Sequence, residues 1–352
     1  MNLVKHSYKE EDCIFLLKDI SDKVIEVTIE EKESLINQGV SYSEMLSKEG
    51  NVSEEIKKLF EELTKDSSKD IAEYVGCVSE KIYKAKGKDT VIVSLARAGS
   101  PFGILIKKYI KFKYKVDIPH YSVSIIRGKG IDFNALSYII KNNPNGKIQF
   151  VDGWTGKGSI TKELNNTITI YNNKYNVNID SSLAVIADPA KLSKISGTQK
   201  DINLPNCCLN STVSGLISRT VHNKEIIGET DFHGAKYLDY LKEEDYSQFF
   251  IDSVEKEFTL EDKVLLENKR VLEYVPAVIE EIRSTYDVSD IHKIKLSIGE
   301  ASRALLRRRT KLVLIKNFEN KDVAHIIHMA NEKGIEVKEF KNSDYECVAI
   351  IE

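Results

Sequence analysis

Residues 147–164 read KIQFVDGWTGKGSITKEL. Ile148, Phe150 and Val151 form an apolar run that stops at Asp152. A loop from Gly153 to Ser159, with Trp154 in it, then leads into helically spaced residues. Strand, acid, loop, helix is the order in which an open α/β sheet builds an anion site, because free N–H groups of the loop and first helical turn point at the ligand. Gly153, Gly156 and Gly158 allow close backbone approach, while Thr155 and Ser159 add hydroxyls and Lys157 a charge. Neither G-x-x-x-x-G-K-[ST] nor a post-strand G-x-G-x-x-G is present.

Three further apolar runs end in polar tips. TVIVSL at 90–95 is followed by Ala96, Arg97, Ala98, Gly99, Ser100 and Pro101, with Ser100 placed to cap a helix that has Pro101 at its first position. The run ending at Ile126 leads to Arg127, Gly128, Lys129 and Gly130, a cationic turn suited to closing over a polyphosphate. SLAVIA at 182–187 ends at Asp188. Runs of this kind predict a parallel sheet whose polar tips gather at its carboxyl edge, where ligands bind in such folds.

Together these tips resemble the type I phosphoribosyltransferases. The likeness implies a 5-phosphate held by Gly153–Ser159, a ribose oriented by Asp152, and pyrophosphate held by Arg97, Ala98, Gly99 and Ser100 under an Arg127/Lys129 flap. Mg²⁺ would be met indirectly by Asp152, and the acceptor base by Asp188 and His233. The chain departs from the family at Gly153, where a second acid is usual. A longer resemblance spans nearly the whole chain, carried by DCIFLLKDI, SLARAGSP, HYSVSIIRGKGID, FVDGWTGKGS, INLPNCCLN and DFHGAKYLDYL. It is to the phosphoribosyltransferase-like family of bacterial tellurium-resistance and stress gene clusters, some of whose members carry the cysteine-protease label StiP.

The 352 residues suffice for two domains with separate cores. A net charge of −3 exerts no global pull on nucleic acid or anionic membrane, so such binding needs a local patch. No apolar run approaches membrane-spanning length, and MNLVKHSYKEEDC lacks a signal peptide's apolar core. Five cysteines without a C-x-x-C pair point to a reducing cytoplasm.

The expected layout is a helical N-terminal extension over 1–88, the phosphoribosyltransferase-like domain over 89–256, a helical connector over 257–288 and a small α/β/α domain over 289–352. In the last, IGEASRALLRRRTKLVLIKN resembles the RNA-binding domain of Pelota. That likeness places Gly299 and Glu300 at the RNA, with Arg303, Arg307, Arg308 and Arg309 attracting phosphate.

Three functions follow. The first is Mg²⁺-assisted transfer from phosphoribosyl pyrophosphate or a related ribose phosphate, linked to RNA and stress. The second is a cysteine-dependent hydrolase using Cys207 or Cys208 with His233 or His222, since a thiol nucleophile needs an imidazole within reach. The third is a non-catalytic phosphoribosyl sensor tethered to RNA. The family resemblance also implies a homodimer.

Overall fold

The computed structural model describes residues 2–24, 26–27, 31, 46–50, 52–265 and 267–352, apart from the side chains of Ser47 and Arg307. Most of the first part, 28–45, of the helical pattern expected from Thr28 to Ala85 therefore lies outside the described residues. The pattern that follows it forms α1 (Glu54–Lys86), which Ser53 caps by accepting from the Ile56 N–H at 3.4 Å.

The main sheet contains β1 (Ile14–Phe15), β2 (Thr90–Ala96), β3 (His120–Ile126), β4 (Gly130–Ile131), β5 (Lys147–Trp154), β6 (Leu183–Ala187) and β7 (Ile195–Thr198). Its order is β1-β3-β2-β5-β6-β7, parallel throughout, with β4 folded back antiparallel on β3. The segment around residue 14, within the stretch expected as a helical N-terminal extension, thus supplies an edge strand. Successive strand residues face opposite layers. Ile92, Val151 and Ile186 pack under α1 and α2 (Ser100–Tyr114), while Val91, Val93, Phe150 and Val185 pack on α3 (Phe133–Asn142) and α4 (Ser159–Tyr175). Burial on both faces is why these strands read as unbroken apolar runs.

After α5 (Ser247–Glu255) the chain does not continue as a helix. The described residues of 258–271 have no regular structure, and Leu260, Val264, Val271 and Leu272 are exposed. The helical spacing read there finds no surface to cover. Polar contacts hold the segment instead: Lys263 pairs with Glu73, and Asn268 donates to Ser196 at 2.7 Å. The next helix, α6 (Tyr274–Tyr286), had been assigned to the connector but belongs to the C-terminal domain's core through Val275, Val278 and Ile282.

That domain has a four-stranded sheet of β8 (Ile294–Leu296), β9 (Thr310–Ile315), β10 (Glu336–Glu339) and β11 (Cys347–Ile351), in the order β8-β11-β9-β10. Leu312 and Leu314 face α6, whereas Val313 and Ile315 face α7 (Ile298–Arg307) and α8 (Ala324–Glu332). The whole is a mixed α/β chain with a mostly parallel main sheet and a small C-terminal domain. Among the described residues, no helix is long and apolar enough to cross a membrane.

Candidate active site

After β7 the chain runs through Asp201 and Asn203 into a 3-10 turn, Pro205–Cys207. Pro205 suits the first position, where no N–H is required. The Cys207 N–H bonds the Leu204 carbonyl and the Cys208 N–H that of Pro205, each at 2.9 Å. The turn carries both thiols to the junction with the C-terminal domain. There α8 supplies His325, and one ring nitrogen and the two Sγ atoms lie within 4.8 Å of one another.

Ser302 on α7 fixes the imidazole. Its Oγ donates to the Ile298 carbonyl at 2.9 Å and lies 2.8 Å from His325 Nε2. With the serine proton committed to the carbonyl, Nε2–H donates to Oγ and the lone pair falls on Nδ1. Nδ1 is buried without a hydrogen-bond partner among the described residues. Cys207 Sγ has Asn203 Oδ1 at 3.8 Å. A hydrogen bond from Cys208 holds the Cys207 thiol well below the usual range against the opposing cost of burial, and His325 lowers it further. Cys208, the donor to Cys207, is pushed well above it. The arrangement is an acidified thiol with an imidazole in reach, closed from solvent: Cys207, Cys208 and His325 are 0%, 3% and 2% exposed.

His233, expected beside the cysteines or an acceptor base, belongs to another cluster. Its Nδ1 lies 2.9 Å from Ser124 Oγ, its N–H donates to Asp132, and its ring meets His222 at 4.6 Å. Burial, then the His222 charge, lowers it to about 3, so it stays neutral. The signal that sequence reading missed is His325, in the helical stretch DVAHIIHMA, where it passes for a core residue.

The glycine-rich loop does start at the carboxyl end of β5, but the C-terminal domain covers it. Tyr345 donates its hydroxyl to the Gly156 carbonyl at 2.7 Å, and Lys157 Nζ donates to Ile291 O at 2.8 Å. Arg303 lies over Trp154 with 4.3 Å to the ring centroid. A Cβ on Gly156 would come within 3.1 Å of Leu296 O, one on Gly153 within 2.8 Å of Phe102, and one on Gly299 within 2.6 Å of Trp154. What remains is a cleft of about 170 Å³ lined by Asp152, Thr155, Lys157, Gly158, Glu300 and Arg303, with exposed Ser159 at its edge. Burial raises Asp152 to about 6 and lowers Lys157 to about 8.

The other expected ligand groups have structural partners. Arg97 donates to Glu49 at 2.6 Å, to the Ile217 carbonyl at 2.9 Å and to Asn210 at 3.1 Å. Ser100 does not cap α2. Gly99 is the N-cap residue, and the Ser100 hydroxyl lies 2.7 Å from that of Ser122. Ala98 lines the cleft. Asp188 receives the Thr155 hydroxyl and the N–H groups of Leu192 and Ser193, so it organises a turn. Arg127 and Lys129 are exposed in a tight turn, with Arg127 Nη2 at 3.2 Å from His292. Of the expected RNA residues, Gly299, Glu300 and Arg303 face the covered loop and Arg308 and Arg309 are exposed, while the Arg307 side chain lies outside the described residues.

Against known proteins, the family described as "Tellurite-like stress resistance cysteine protease StiP" matches residues 6–255, and the PELOTA RNA binding domain matches residues 275–352. The curated "Cysteine protease StiP" of Acinetobacter baylyi (strain ATCC 33305 / BD413 / ADP1) is 31% identical over 363 residues, covering 98% of this chain and 94% of that protein. These matches overturn the expectation of phosphoribosyl transfer, since family and relative alike carry a cysteine protease's name. The donor phosphoribosyl pyrophosphate falls with it, and Mg²⁺ was expected only as that donor's companion. The chain belongs to the StiP family, with a Pelota-type domain at its C-terminal end.

Proposed function

We propose that the chain is a cysteine-dependent hydrolase of acyl bonds, a peptidase in the sense of its relative's name, with Cys207 as nucleophile and His325 as its base. The supporting observation is the buried imidazole with a ring nitrogen within 4.8 Å of the thiol sulfur and its Nε2 held by Ser302. Nδ1 takes the thiol proton, sulfur attacks the acyl carbon, and the departing amine carries that proton away. A water then gives a proton to Nδ1 and attacks the thioester. The acid leaves, and the thiol regains its proton. Asn203, with its amide turned to present Nδ2–H, is the side chain placed to steady the developing oxyanion. Because the pair is closed from solvent, substrate entry requires the domains to part and close again.

The test is hydrolysis of a fluorescently labelled casein. Cys207→Ser and His325→Ala lower the rate on the order of 100-fold or more, whereas His233→Gln leaves it unchanged. Full activity in Cys207→Ser overturns the proposal.

The C-terminal domain's likeness to a Pelota domain supports RNA binding as a second property. Exposed Arg308, Arg309 and Lys311 at the end of α7 and start of β9 form its phosphate-attracting patch.

A further inference from the structure

We propose that Cys207, Cys208 and His325 form a binding site for a thiophilic divalent cation of the zinc class, held between the two domains. Two thiols and an imidazole are the donor set that zinc favours. Zn–S bonds of about 2.3 Å and Zn–N bonds of about 2.0 Å, arranged tetrahedrally, place the donors roughly 3.5–3.8 Å apart. The three donor atoms here already lie within 4.8 Å of one another, so small rotations of the side chains suffice.

A second observation points the same way. His325 is 2% exposed, yet its Nδ1 has no hydrogen-bond partner among the described residues. A buried nitrogen lone pair left unmet is costly, and a cation satisfies it. Ser302 on Nε2 is the outer partner that a ligating histidine needs to hold its ring and tautomer. With the metal bound in place of substrate, the Asn203 amide keeps Oδ1 toward Cys207 Sγ, at 3.8 Å, as the oxygen at hand for the fourth position.

Charge balances as well. A divalent ion with two thiolates and a neutral imidazole is a neutral unit, fit for a fully buried pocket, whereas an ion pair there bears a desolvation cost. Binding releases two protons, one for each sulfur–metal bond, whichever donors held them beforehand. Since the sulfurs come from the first domain and the nitrogen from the second, the cation ties the two together and covers the nucleophile. The masking rests on the hydrolase reading, but the metal site does not.

The experiment uses the full chain, stripped with a chelator, loaded with ZnCl₂ and desalted. Metal content is read by mass spectrometry, and Co²⁺ in place of zinc reports the ligands through thiolate-to-cobalt charge-transfer absorption. One equivalent of zinc is expected, with cobalt bands of a tetrahedral thiolate site. Ser302→Ala should weaken binding about 10–100-fold, with a larger loss in Cys208→Ser and His325→Gln. Zinc should also slow iodoacetamide labelling of Cys207, and chelator should restore it. Less than a tenth of an equivalent retained, or equal retention in Cys208→Ser and His325→Gln, overturns the proposal. Zinc bound by a protein that hydrolyses nothing after chelation leaves the metal site and sinks the hydrolase. Hydrolysis without retained zinc does the reverse.

Discussion

His120 shows how far one buried side chain can be read. It lies on β3, where its Nδ1–H meets the Asp12 carbonyl at 2.9 Å and its Nε2 stands 2.8 Å from Ser94 Oγ. Burial lowers it to about 3, so the folded chain refuses a proton that the unfolded chain binds near pH 6.5. Its contribution to stability is complete above that pH and is lost as pH falls toward 3, at about 1.4 kcal/mol per unit. Buried acids such as Asp152 slope the other way, so the measurement is a difference. Denaturant titrations between pH 6.5 and 4 should give His120→Gln a pH slope different from the parent's by about that amount. Identical slopes would contradict a neutral buried ring. The active pair was legible only by half at this scale. Cys207 and Cys208 stood out as adjacent thiols, but the partner was sought at His222 and His233, close in sequence. His325 is 118 positions beyond Cys207 and reaches it only because two domains dock, which no local spacing encodes.

At the scale of elements, the strands were plain. TVIVSL, KIQFV and SLAVIA announce themselves because helices bury both faces of the sheet. The loop after β5 was legible as a shape, strand then glycines then helix, but not as a role. Its glycines read as a cradle for a ligand, and the structure uses them to admit another part of the same chain. Gly299 shows the point from the other side, since its missing Cβ is what lets α7 seat on Trp154. Gly299→Ala should lower stability by about 1–3 kcal/mol through overpacking, read from denaturant midpoints, and an unchanged midpoint would contradict this contact. Asp201 performs the matching polar task. Its carboxyl accepts from the N–H groups of Ile298 at 3.1 Å and Glu346 at 3.0 Å, joining the first domain to the start of α7. Asp201→Ala leaves the buried Ile298 N–H unmet, about 1–3 kcal/mol, and the half-buried Glu346 N–H as well. It should loosen docking enough to speed iodoacetamide labelling of Cys207, and labelling at the parental rate would argue that Asp201 does not hold the domains together.

At the scale of the whole molecule, one reactive constellation draws on both domains, so docking decides whether thiol and base meet. The same docking turns Gly299, Glu300 and Arg303 inward and leaves Arg308 and Arg309 to solvent. If these two arginines meet RNA phosphates, Arg308→Ala/Arg309→Ala should reduce the salt dependence of tRNA binding. The slope of log K against log salt should fall by about 1.4–1.8, and an unchanged slope would place the RNA elsewhere. The central claim, that Cys207 is activated across the domain junction by His325, is tested most directly with a peptidyl epoxysuccinate, which forms a thioether with an activated thiol. The adduct is mapped by mass spectrometry after digestion. The account predicts modification at Cys207 in the parent and in His233→Gln, and its loss in His325→Gln. An adduct that persists in His325→Gln, or that maps to another cysteine, would contradict it.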